Sequence, residues 1–203
     1  MEEKTTKKIL DFWFGEIKNN GVPDKEKQKM WWIKDQKLDE LIKNQFENHL
    51  IQAKSVKFDE IKENPDKILA VVILLDQFSR NIYRDTPQSF AQDDIALNIV
   101  FKGIENGIDI KLQAVERAFF YMPLMHSEDI KVQEKSLESF LALEAQYKDS
   151  ADLAHNVTQQ KKYAVLHYDI IRKFGRYPHR NKILGRESTP KEIEFLKTPG
   201  SSF

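Results

Sequence analysis

ILAVVILLDQFSRNIYR, residues 68–84, opens with eight consecutive apolar residues, Ile68 to Leu75, and runs without a break into Asp76, Arg80, Asn81 and Arg84. Asn64-Pro65 just upstream is a helix start, because proline suits the first helical position, and the pattern predicts a helix from there to about Arg80. A helix that is apolar on every side cannot face water and belongs at the centre of a fold. The stretch therefore predicts a protein built around a buried helix whose far end is charged.

Working outward, helical signals continue and nothing reads as a strand. Thr5 or Thr6 can cap a first short helix carrying Ile9, Leu10, Trp13 and Phe14, with Gly15 as its stop. A second stretch carries Met30, Trp31 and Trp32, the three tryptophans being expected in the core; Asp35 caps a third helix with a one-sided stripe from Leu38 to Leu50. Thr86-Pro87 is expected to begin a long helix, residues 113–122 a short one stopped by Met122-Pro123, and Ser127 another with Glu128 and Asp129 in its first turn. The last long helix spans roughly 150–174, and a Pro- and Gly-punctuated loop leads to a short terminal helix opened by Thr189-Pro190. The fold class is all-α: an irregular antiparallel helical array, tetratricopeptide-like, over one domain of residues 1–203, with 175–203 packing on the array as loop and short helix. A closed bundle is the alternative architecture, since no fixed repeat period is present.

Composition narrows the functions. The 32 basic and 32 acidic residues cancel, so no overall field draws the chain to nucleic acid or to an anionic membrane. The sequence has no cysteine, which removes disulfides, thiolate catalysis and cysteine-built zinc sites. No window approaches a membrane span and the start does not read as a signal peptide, so a soluble, cytoplasmic protein is expected. Phosphate loops, nucleophile elbows, calcium loops and paired-histidine metal motifs are missing, and no cofactor or metal is implied. No oligomeric state is implied either.

Three constellations carry ionisable chemistry. Asp76, Arg80 and Arg84 recur at helical spacing, so a carboxylate and two guanidiniums would share one face, with Asn81 beside them. They can brace the helix internally or hold an anion in a planar, two-bond fork. FFYMPLMHSED, residues 119–129, places His126 beside Glu128, a pairing suited to acid–base work or to capping. GRYPHRN, residues 175–181, sets Arg176, His179, Arg180 and Asn181 on a loop, as anchors or as ligand contacts.

DQFSRNIYR, FYMPLMHSED and GRYPHRN together resemble a mainly bacterial family, the domain-of-unknown-function family nine-two-four, as do DFWFGE, MWWIKD, SFAQDDIAL and GRESTPKEIEFL. The resemblance extends over most of the chain. It implies an all-helical, tetratricopeptide-like fold and no defined reaction. Three functions are open to these residues. In the leading one, Asp76/Arg80, His126/Glu128 and His179/Arg180 converge on a polar pocket for an anionic small molecule or a peptide carboxylate. In the second, His126 or His179 is the general base of a hydrolase-type enzyme, oriented by Glu128 or Asp76, with Arg80 or Arg180 stabilising a developing anion. In the third, the array is a protein-interaction scaffold.

Overall fold

A computed structural model describes residues 1–18 and 21–201, and among these residues every regular element is helical. The α-helices are α1 (Glu3–Phe14), α2 (Lys25–Met30), α3 (Gln36–Ala53), α4 (Pro65–Val72), α5 (Ser79–Ile82), α6 (Asp93–Glu105), α7 (Ala114–Met125), α8 (Ile130–Tyr147), α9 (Ala154–Phe174) and α10 (Pro190–Phe195). They pack as an array: α7 lies on α8 and α8 on α9, while α4 touches α1, α6 and α7. The apolar run is the innermost element, with Ile68 through Leu75 fully buried. Phe12, Trp13, Phe46, Phe78 and Phe119 pack beside it in edge-to-face pairs, which aromatic quadrupoles favour.

The buried run is not one regular helix. Ile73–Phe78 forms a wider π turn between α4 and α5, and the Ser79 amide donates to Leu74 O, five residues back. That register deprives the next carbonyls of their usual amides, and buried carbonyls need replacements. Ser79 Oγ donates to Leu75 O at 2.6 Å, and Arg80 Nη1 donates to Asp76 O at 2.6 Å. The turn thus presents the Asp76 carboxylate sideways while its backbone stays satisfied.

Asp35, Asn64 and Thr189 cap their helices as the sequence predicts, accepting from Leu38, Lys67 and Glu192 amides respectively. Other boundaries differ. Thr6 is no cap: α1 begins at Glu3, and the buried Thr6 hydroxyl donates to Glu2 O within the first turn. Thr86-Pro87 opens only the single turn Pro87–Ser89, whose Ser89 O packs 3.2 Å from Ser79 Oγ, and α6 starts later, at Asp93. Pro123 does not stop α7. The helix runs on to Met125 because its surroundings bury nearly every residue, and that packing outweighs one lost amide. Asp129, not Ser127, caps α8 by accepting from Lys131 N at 2.7 Å, so Glu128 precedes the helix instead of sitting in its first turn.

Of the tryptophans, Trp13 is buried and Trp31 partly so. Trp32 is 57% exposed, because it falls past the end of α2 and stacks on Tyr163 at 6.1 Å instead of entering the core. At the C-terminus, Phe195 of α10 packs on Phe174 at the end of α9, and Tyr177 joins Ile170 and Ile171 in a second, smaller apolar cluster. No helix among the described residues is long and apolar enough to cross a membrane.

Ser79→Ala removes the hydroxyl that donates to the buried Leu75 O. The unfolding free energy should fall by about 1–3 kcal/mol, read as a lower urea midpoint with an unchanged slope.

Candidate functional site

Asp76 has no exposed surface, yet three side chains donate to its carboxylate and carbonyl. Its Oδ1 lies 2.7 Å from His126 Nδ1 and 3.0 Å from Arg80 Nη1, and its Oδ2 accepts from Gln77 Nε2 at 2.5 Å. Burial works to raise this carboxyl, but the charge of Arg80 and the His126 contact outweigh it and hold the pKa down at about 2. Asp76 is therefore a carboxylate, and His126 Nδ1 donates to it. Burial, reinforced by the Arg80 and Arg180 charges, keeps the His126 imidazole below its ordinary value despite Asp76. A neutral imidazole with its proton on Nδ1 has a lone pair on Nε2, which forms no hydrogen bond among the described residues.

Arg80 links this pair to a residue outside the predicted set. Its Nη2 donates to Asp93 Oδ2 at 3.0 Å, and the same oxygen receives Arg180 Nη1 at 3.4 Å. Arg180 is 6% exposed, and its guanidinium lies against two rings, 4.5 Å from the Phe90 centroid and 4.6 Å from that of Tyr177. Asp93 Oδ1 and Arg180 Nε are buried without hydrogen-bond partners among the described residues. Burial and the neighbouring Arg80 charge lower the Arg180 pKa, and burial raises that of Asp93. Phe90, Asp93, Asp94, Pro123, His126 and Arg180 face a cleft of about 320 Å³, the scale of a small-molecule site.

The three constellations meet here in part. Asp76, Arg80, His126 and Arg180 are brought together. Glu128 reaches the cleft wall, but its oxygens take Arg186 in a two-bond fork at 2.6 and 2.9 Å and the Tyr177 amide at 2.8 Å, so Asp76 and not Glu128 orients His126. His179 packs beside Tyr177, 5.5 Å between ring centroids, and is not among the residues lining the cleft; burial and the Arg180 charge push its pKa down to about 4.

Asn81 and Arg84 turn the other way and clamp Asp39 of α3, with Arg84 Nη2 and Asn81 Nδ2 each at 2.8 Å. Arg176 pairs with Glu192 at 2.7 Å and Asn181 donates to Ser188 Oγ at 3.0 Å, both fixing the C-terminal loop. Four-residue spacing puts Arg84 on one face with Asp76 only if the helix continues, but α5 ends at Ile82 and Arg84 lies in the turn beyond it.

Sequence reasoning missed Asp93, Phe90, Tyr177, Arg186 and His167. Asp93 and Phe90 stand in SFAQDDIAL, a motif that carried only the family resemblance. Tyr177 is fully buried, donates to Met125 O at 2.5 Å and accepts from Gln133 Nε2 at 2.8 Å, which locks the loop carrying Arg180 onto the end of α7. His167 projects from α9 to within 6.1 Å of the His126 ring, and its Nδ1 contacts Tyr163 O at 2.8 Å. Nothing in its sequence neighbourhood marks it. Among the described residues, no group of three or more acidic or imidazole side chains is placed to hold a metal ion.

The fold and site define an all-helical array with an aspartate–histidine–arginine centre buried beside a cleft. A model described as "Bacterial protein of unknown function (DUF924)" matches residues 9–200, and the chain belongs to that family. It is similar to a solved structure, a protein of unknown function, ATU0120, from Agrobacterium tumefaciens: 32% identity, a TM-score of 0.75, and coverage of 96% of this chain and 97% of that one. No curated protein matches the chain.

Three imidazoles, His126, His167 and His179, are held below the ordinary value of 6.5, His167 to about 3, chiefly by burial. Below pH 6.5 the unfolded chain therefore binds protons that the folded one does not. Stability should fall as pH drops from about 6.5 toward 4, by up to about 1.4 kcal/mol per pH unit for each imidazole. Melting temperature against pH by calorimetry reads this, and His167→Asn should flatten the slope by one imidazole's share.

Proposed function

We propose that the chain is a single-domain cytoplasmic protein that binds a small anionic molecule or a peptide carboxylate in the cleft beside His126. One observation carries the reading: Arg180 is buried, fixed against Phe90 and Tyr177, and among the described residues its guanidinium makes only one long hydrogen bond, to Asp93. A guanidinium desolvated and pre-oriented in this way binds a carboxylate more strongly than a mobile surface arginine, because its ordering cost is already met by the fold. The ring contacts leave its in-plane edge for a ligand, which suits the two oxygens of a carboxylate.

A second reading is supported by the Asp76–His126 contact. His126 Nε2 is a base whose other nitrogen is fixed by a carboxylate, beside a cation able to stabilise a developing oxyanion. In a hydrolase-type reaction, Nε2 would take a proton from water as that water adds to a carbonyl carbon and the π pair moves onto oxygen; the protonated imidazole would then give its proton to the leaving alcohol or amine as the bond to it breaks. Asp76 would be a positioning residue that favours the correct tautomer.

Isothermal titration with a panel of carboxylates should give a saturable heat for the wild-type protein. Arg180→Gln should weaken it at least about tenfold while Arg172→Gln, on the exposed face of α9, leaves it unchanged. Equal binding by Arg180→Gln would remove the reading. For the second reading, ester or amide turnover should rise with pH as His126 deprotonates and fall at least about a hundredfold in His126→Gln with little change in melting temperature. Loss of folding in step with activity would favour a brace.

A further inference from the structure

The cleft offers more acceptors than donors, and this bears on what a ligand there must look like. Arg180 is a cation on the wall, with Nε unbonded among the described residues. Against it stand Asp93 Oδ1, also unbonded, the His126 Nε2 lone pair, and Asp94, an exposed carboxylate with no ion pair among the described residues. Glu128 is closed off by Arg186 and the Tyr177 amide. A simple anion at Arg180 would lie against the Asp93 carboxylate, whose Oδ2 is 3.4 Å from Arg180 Nη1. Like charges so close in a desolvated site repel strongly.

Resting on the carboxylate-binding reading above, we infer that the ligand is a zwitterion of the amino-acid class. Its carboxylate takes the edge of Arg180. Its ammonium, two bonds away, is received by Asp93 Oδ1 and His126 Nε2, with Asp94 adding charge at the rim. In such a ligand the separation of opposite charges matches the adjacency of Asp93 and Arg180, and each orphaned group gains a partner of opposite sign. Phe90, Leu97, Pro123 and Leu184 form the apolar part of the lining and would receive an apolar side chain. A peptide C-terminus has only a neutral amide N–H at that position, which can donate one hydrogen bond but does not offset the Asp93 charge.

The test is calorimetry on the full chain near pH 7.5 with L-leucine, 4-methylpentanoate and 3-methylbutylamine, which share a side chain and differ in charge, and with L-phenylalanine, 3-phenylpropanoate and 2-phenylethylamine. At least one amino acid should bind about tenfold or more tighter than both of its counterparts, and Asp93→Asn should shrink its advantage over the carboxylate to about threefold or less. The wild-type comparison stands by itself if that variant does not fold. Equal affinity for amino acid and carboxylate overturns the zwitterion and leaves the carboxylate pocket standing. Tightest binding by the amine overturns both, as does the absence of binding by all six.

Discussion

A carboxylate with no solvent exposure, Asp76, sits where the apolar run ends, and much of the surrounding arrangement answers its need for partners. Leaving an ion of this kind uncompensated costs several kcal/mol, so the groups around it are required and cannot be treated as ornament. Arg80 and Gln77 come from the same segment, but His126 comes from the end of α7, fifty residues on. Satisfying Asp76 therefore fixes α7 against the π turn. Arg80 then carries the constraint outward to Asp93 at the start of α6, and Asp93 to Arg180 in the loop after α9.

The chain of ion pairs also explains why the centre is polar without being closed. Among the described residues, Asp93 gives one oxygen to two arginines and leaves the other unpaired, and Arg180 lies against two rings but has an edge unspent. A purely structural network with both groups buried would be expected to spend those atoms, since each orphan in a low-dielectric site costs free energy. Among the described residues, unpartnered buried atoms occur outside the cleft too, Ser136 Oγ and Arg186 Nε among them, but one comparable ionic centre is satisfied: Arg117, Tyr121 and Asp109 form a buried cluster in which Tyr121 Oη accepts from Arg117 at 2.7 Å and donates to Asp109 at 2.6 Å, with Gln146 accepting from Arg117 at its rim. The contrast between these two polar centres is what gives the cleft its functional reading.

The location of the centre was legible in the sequence because a charge at the end of a run of buried residues must be met by others, and the histidine and arginine loops were the visible suppliers. Arg84 and Asn81 were misplaced for a specific reason. The four-residue spacing assumes a helix that continues through Arg84, but α5 ends at Ile82, and Asn81, five residues after Asp76, sits on another face, so both meet Asp39 instead. Glu128 was assigned to His126 by adjacency, whereas the cap at Asp129 turns Glu128 toward Arg186. His167 gave no signal, because its role depends on which face of α9 meets α7 and α8.

By itself the sequence determined the all-helical class, the buried position of residues 68–75 and the helix starts at Asp35, Asn64-Pro65 and Thr189, because apolar periodicity and capping residues act within a few positions of one another. Only the tertiary structure decided which charges meet. Pairing across fifty to a hundred residues is set by how helices pack and by a one-residue change of register, and Asp93 and Arg180, eighty-seven residues apart, become neighbours through that packing alone.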